Sequence, residues 1–297
     1  MLIENTGLVL EGGGMRGAYT SGVLDALMDK GIEFPYVIGV SAGANNGANF
    51  VARQRERNKR VFVDFVEDKR YSGWGNLLKK GMYFGMDFLF DDLPNRLAPF
   101  DYQTFYETST IFYACVTDCV SGQAVYFKQK DYDPRFFMEK ILRASSSVPI
   151  ICRPVEIDGR MYLDGGISDS IPVEKSMADG NAFNVVVLTR NEGYVKKPAR
   201  TSAIAAMVLA RYPKFVQAMR KRHIMYNRCL NKILELEAEG KVFVFRPQAK
   251  IEVAMMDRDM DKIDGLYRQG YSEAMDRIKD LKDWIARTRK DRKIKEA

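Results

Sequence analysis

Two kinds of apolar pattern alternate along this chain. Short, nearly continuous apolar runs at residues 8–11, 36–40, 185–188 and 241–245 read as strands covered on both faces. Residues 15–30 instead place Ala18, Val23, Leu24, Leu27 and Met28 at helical spacing, with Gly31 where a C-cap belongs. A second helix opens near Ala44 and runs toward a charged stretch at residues 53–60. Residues 111–116 and 123–127 predict two strands joined by a turn. Residues 136–143 predict a helix and residues 144–149 a loop. Residues 155–157 and 160–163 flank Asp158-Gly159, a hairpin pattern. Residues 203–239 read as mostly helical, and residues 257–289 as one long amphipathic helix or a pair. A basic tail at residues 287–295 is expected to fray.

Strands alternating with helices predict an α/β fold with a parallel or mixed sheet covered on both faces. With no internal repeat and no low-complexity linker, one domain is expected over residues 1–297. Its parts are a core at about residues 5–190, a helical excursion at about 196–240, and a C-terminal strand and helices at about 241–290. One segment fits neither pattern. Met82, Tyr83, Phe84, Met86, Phe88, Leu89, Phe90 and Phe100 crowd a stretch broken by glycine and proline. Two readings are open: ordinary core packing, or an adaptable wall for an irregular apolar ligand.

Composition narrows the class. A hydrophobic fraction of 46% supplies a proper core for 297 residues. The 46 Lys+Arg against 39 Asp+Glu give a net charge of +7, which fits attraction to an anionic surface or an ordinary solvated exterior. Cys115, Cys119, Cys152 and Cys229 form no Cys-x-x-Cys pair and share a single histidine, His223, so no zinc site is expected. No basic region precedes an apolar run at the N-terminus, and no stretch approaches the roughly twenty apolar residues of a membrane span. The expected location is the cytoplasm.

The chemistry concentrates in two glycine-rich turns. Gly39-Val40-Ser41-Ala42-Gly43 follows a predicted strand and opens a helix, the setting of a nucleophile elbow. Gly39 and Gly43 remove side chains where strand and helix backbones crowd. Gly12-Gly13-Gly14-Met15-Arg16-Gly17 also follows a strand and offers backbone N–H groups at a helix start, where negative charge is stabilised. Its dinucleotide-binding reading wants an acidic residue at the end of the second strand, and Ser41 stands there instead. No Gly-Lys-Ser/Thr follows, which excludes a Walker loop. An oxyanion hole built from the N–H groups near Gly13 and Gly14, with that of Ala42, fits better, and Arg16 adds positive potential. His223 lies in a cationic helical run, a poor place for a general base. Asp164, at a strand end before Gly165-Gly166, is the alternative; on spacing alone it could equally be a turn.

These three motifs, in this order, resemble the patatin-like phospholipases, and residues 144–149 and Gly270-Tyr271 add to the likeness. The resemblance implies a three-layer α/β/α sandwich with a mostly parallel central sheet. It implies a Ser–Asp dyad, with Ser41 as nucleophile, Asp164 as proton acceptor and Gly12, Gly13, Gly14, Arg16 and Gly17 at the oxyanion. Gly39, Gly43, Gly165 and Gly166 shape the turns. The implied reaction is hydrolysis of a fatty acyl ester through an acyl-serine, with no metal or other cofactor. The expected partner is a lipid or acyl-ester substrate, with peripheral contact to an anionic membrane and no nucleic acid. A catalytically weak lipid-binding protein on the same fold is the alternative. The chain departs from the family at Ala44-Asn45-Asn46-Gly47, where two asparagines are expected to alter the pocket's polarity.

Overall fold

The computed structural model describes residues 5–198 and 207–296. Eight strands form one mixed sheet: β1 (Thr6–Leu10), β2 (Tyr36–Val40), β3 (Ile111–Asp118), β4 (Ala124–Lys128), β5 (Val155–Ile157), β6 (Arg160–Asp164), β7 (Phe183–Val187) and β8 (Val242–Phe245). Their order is β5-β6-β3-β2-β1-β7-β8, with β4 paired to β3. From β8 through β7, β1 and β2 to β3 every pairing is parallel; β4 and β6 run antiparallel to β3, and β5 to β6. The nearly unbroken apolar runs are explained by cover on both faces. Alternate residues of each strand enter different cores: Leu8 and Leu10 face one way, Val9 the other.

The principal helices are α1 (Gly17–Asp29), α2 (Ala42–Val51), α3 (Val173–Ala178), α4 (Pro213–Ala238), α5 (Met260–Asp276) and α6 (Ile278–Glu296). On one face α1, α2, α5 and α6 bury Val23, Ala44, Ile263 and Trp284 against Leu8, Val37, Phe112 and Phe243. On the other, α3 and α4 bury Val173, Tyr226, Ile233 and Leu236 against Val9, Ile38, Val186 and Val244. The result is the three-layer sandwich.

Helices α1 and α5 cross at van der Waals contact of their backbones. A Cβ on Gly22 would lie 2.1 Å from the Tyr267 carbonyl oxygen, and one on Gly270 would lie 2.2 Å from that of Tyr19. The same crossing is laced by Tyr19 donating to Glu273 and Tyr267 donating to Asp25, both at 2.8 Å. The Gly270-Tyr271 pair is thus a helix-packing device.

Most boundaries lie within two residues of those predicted. The helix expected from residue 15 begins as a tight turn over Gly14–Arg16. The stretch at 257–289 is a helix pair, and α6 continues to Glu296 through residues expected to fray. Of the stretch expected to be helical from residue 203, residues 203–206 lie outside the described residues, residues 207–208 are helical, and α4 itself starts at Pro213. The loop expected at 144–149 opens with a helical turn, Arg143–Ser145. Among the described residues, no helix is long and apolar enough to cross a membrane.

Candidate active site

Sheet register brings Ser41 and Asp164 together across 123 positions of sequence. Cys115 of β3 pairs with Val40, the last residue of β2, and the next residue, Val116, pairs with Asp164, the last of β6. β4 occupies the opposite edge of β3, so β2 and β6 approach end to end along one edge. Both C-terminal residues emerge at the same point.

Ser41 sits at φ 55°, ψ −123°, a conformation sparsely populated by residues with side chains. The glycines on either side permit the turn. A Cβ on Gly39 would lie 2.5 Å from the Gly43 carbonyl oxygen, and one on Gly43 would lie 2.4 Å from that of Leu10. The Ser41 N–H donates to the Ser145 hydroxyl at 2.8 Å, and that hydroxyl donates to the Cys115 carbonyl at 2.7 Å. Ser41 also caps α2, so the positive end of the helix dipole faces its hydroxyl.

The Ser41 side chain stands by the Asp164 carboxylate, close enough to favour its ionised form. Asp164 is buried, and Oδ1 accepts the Gly166 N–H at 2.7 Å. Its own N–H donates to the Ser147 carbonyl at 3.0 Å. Burial pushes the Asp164 carboxyl above the usual carboxylate range; the charge of Arg222, the Ser41 side chain and the hydrogen bond from Gly166 oppose that rise. Asp164-Gly165 is a turn as well as a site: Gly165 presses on the Cys115 carbonyl, where a Cβ would lie at 2.3 Å.

The glycine loop wraps the same point. Gly12 lies beside Ser41 and donates its N–H to the Ser170 carbonyl. Gly14 has φ +57° and Met15 donates to the Met255 carbonyl. Among the described residues no backbone carbonyl takes the N–H of Gly13, Gly14 or Ala42. Gly17 begins α1 and presents its carbonyl to Asn46 at 2.8 Å. Arg16 is buried, and among the described residues its Nε has no hydrogen-bond partner.

Gly14, Ser41 and Ala42 open into a cavity of 110 Å³ whose other walls include Met15, Phe62, Phe84, Met86, Leu89, Phe90 and Met138. The aromatic segment therefore does both things open to it: Phe84, Met86, Leu89 and Phe90 line the cavity, while Phe88 is buried in the core. Of the two asparagines, Asn45 lines the cavity and bonds the Ser146 hydroxyl, whereas Asn46 is buried behind it, holding Gly17 and Ser21. Asn49, Asn58 and Arg57 add further polar groups to the lining, and nothing in the sequence pattern singled out Arg57. Burial pushes the Arg57 guanidinium down to about 10.

His223 lies on α4, and among the described residues no hydrogen bond joins it to Ser41 or Asp164. Arg222, its neighbour, does reach the site, donating from Nε to the Gly166 carbonyl. Its signal was present in the sequence. Arg222 is four residues before Tyr226, on the inward stripe that continues through Cys229 and Ile233. Among the described residues, no group of three His, Cys, Asp or Glu side chains is arranged to hold a metal ion.

A family model described as patatin-like phospholipase matches residues 8–176, and a domain of unknown function matches residues 212–286. The uncharacterized protein YjjU of Escherichia coli K12 is 31% identical over 193 residues, 61% of this chain and 51% of that protein. The lysophospholipase NTE1 of Debaryomyces hansenii is 26% identical over 189 residues, 62% of this chain but 12% of that much longer protein. The chain thus spans about half the length of the first relative and a small part of the second. Among solved structures, VipD from Legionella pneumophila matches 91% of this chain and 66% of its own with a TM-score of 0.50 at 12% identity, a likeness of fold.

Proposed function

The chain belongs to the patatin-like phospholipase family, and from that premise we propose that it is a serine acyl hydrolase that cleaves fatty acyl esters of lipids with a Ser41–Asp164 dyad. The observation that carries this reading is the sheet register that sets a strained elbow serine beside a buried carboxylate whose pKa burial raises. A carboxylate is a weak base in water. In a dry site it prefers to hold a proton, which brings it closer to the basicity needed to take one from serine.

In the proposed reaction Asp164 accepts the Ser41 proton as Oγ attacks the acyl carbonyl carbon. The tetrahedral oxyanion is held by the uncommitted N–H groups of Gly13, Gly14 and Ala42 at the α2 N-terminus. Collapse breaks the ester C–O bond, and the leaving alkoxide takes the proton back from Asp164. Water then attacks the acyl-serine by the same route in reverse, releasing the fatty acid and restoring Ser41. The apolar cavity beside Ser41 receives the acyl chain. The relative called lysophospholipase supports a lipid ester as substrate.

A fluorophosphonate probe tests the dyad directly. Labelling is expected at Ser41 in the wild type. Asp164→Asn should slow labelling and ester hydrolysis by about 10³-fold or more, while His223→Ala changes them less than about twofold. Labelling of another serine, or full-rate labelling in Asp164→Asn, would reject the dyad and favour the lipid-binding alternative.

A further inference from the structure

The glycine loop divides two environments. On the α1/α2 side lies the apolar cavity. On the α3/α4 side lie four cations from three separate stretches: Arg16 of the glycine loop, Arg190 and Lys196 after β7, and Arg222 of α4. They are close enough to act on one another. Burial, then Arg190, pushes the Arg16 guanidinium down; burial, then Arg222, Arg16 and Arg190, pushes the Lys196 amine down to about 7. Arg222 and Lys196 both act on Asp164. Among the described residues none of the four forms a salt bridge.

The cluster is built rather than accidental. Lys196 is fixed by its backbone: Asn227 of α4 accepts its N–H at 2.8 Å and donates to its carbonyl at 3.0 Å. Arg16 is 8% exposed, and among the described residues its buried Nε has no hydrogen-bond partner. Four cations set against two carboxylates, Glu11 and Asp164, leave an excess of positive charge, and such an excess beside a reactive centre points to an anionic ligand. Glu11 offsets part of that charge, favouring the charged forms of Arg16 and Lys196, while its oxygens accept the Thr189 N–H at 2.5 Å and the Tyr226 hydroxyl at 2.6 Å. The aromatic rings are committed. Arg190 stands 4.5 Å over Tyr194 and Lys196 stands 4.5 Å over Tyr226. A quaternary ammonium is recognised by open aromatic faces or a free carboxylate, and the protein's own cations occupy those places here.

We propose that Arg16, Arg190, Lys196 and Arg222 form an anion subsite for the phosphate of the leaving alcohol, selecting acyl esters that end in a phosphate monoester over zwitterionic phosphocholine lipids and neutral glycerides. This rests on the acyl-hydrolase reading. It places the acyl chain on one side of Ser41 and the charged leaving group on the other. Guanidinium and ammonium groups gathered in one region suit a dianionic phosphate.

Calorimetric titration of the Ser41→Ala protein, which can bind without turnover, tests it. The ligands are octanoyl-glycerol phosphate, octanoyl-glycerol phosphocholine, octanoyl-glycerol and inorganic phosphate. The phosphate monoester lipid is expected to bind at least about 10-fold more tightly than the other two lipids, and Arg190→Gln or Lys196→Gln should each weaken it by about 10-fold. Equal affinity for the three lipids overturns the proposal, and that comparison needs no further variant to fold. Binding of inorganic phosphate that responds to both variants, without any headgroup preference among the lipids, would assign the cations to free phosphate and overturn the leaving-group assignment. A failed acyl-hydrolase reading registers elsewhere, as absent fluorophosphonate labelling of the wild type. Headgroup preference persisting in that case would support the anion subsite alone.

Discussion

At the scale of the residue, the site rests on groups held in states they would not choose in water. Ser41 is twisted and Asp164 is desolvated. The Asp164 shift has two consequences of known sign. A base must be ionised to act, so the acidic limb of kcat/KM is expected above the ordinary carboxylate range near 4. A pH–rate profile checks this; a limb at or below about 4 would mean another base. For stability, a carboxyl whose folded pKa is raised binds more protons folded than unfolded, so its effect on stability worsens as pH rises through that window. Asp164→Asn removes the buried charge and keeps an oxygen for the Gly166 N–H. It should therefore lose activity while gaining Tm at neutral pH, measured by thermal unfolding. Ser41 and Asp164 were legible as residue types at strand ends; their meeting was not, because strand pairing sets it. Ser145 was illegible for the same reason, and the helical stripe that turns Arg222 inward did not show which group it meets. Each acts on a group far away in sequence.

At the scale of the element, the crossing of α1 and α5 shows what the hydrophobic pattern conveys and what it omits. Periodicity found both helices, since each buries one apolar stripe. It could not show that Gly22 and Gly270 set their separation. Gly22→Ala would drive a methyl into the Tyr267 carbonyl, and the helices must part along their whole contact. A loss of about 2–3 kcal/mol is expected from urea unfolding, against a gain of under about 1 kcal/mol if the position were merely an exposed helical glycine. The segment at residues 82–90 stayed ambiguous for a comparable reason. A wall of a cavity and a piece of core have the same composition, and only the absence of a neighbour on one side tells them apart.

At the scale of the whole molecule, the acyl cavity and the basic exterior make separate predictions. Leu89 lines the cavity and is partly buried, so Leu89→Trp should fill it without opening the core. Hydrolysis of long-chain p-nitrophenyl esters is expected to fall about 10-fold relative to short-chain ones. Unchanged chain-length selectivity would place the acyl chain elsewhere. For the membrane, α6 buries Trp284, Ile285 and Thr288, and Arg287 points outward. Truncation after Thr288 keeps that packing and removes the following basic residues. Sedimentation with anionic vesicles is expected to weaken with added salt and to weaken further on truncation. Binding indifferent to both would make the charge a solvated face.

The sequence by itself determined the local structure: which stretches are strands and helices, that the sheet is covered on both faces, and that two glycine-rich turns follow strands. These depend on the side-chain periodicity and backbone freedom of neighbouring residues. Tertiary structure decided what those turns face. The register of β3 against β2 and β6 set Ser41 beside Asp164, and the packing of α4 carried Arg222 to the Gly166 carbonyl while, among the described residues, no hydrogen bond joins His223 to either Ser41 or Asp164. It also set Arg190 and Lys196 beside Arg16. Contacts between distant residues depend on how whole elements pack, and local pattern does not encode that.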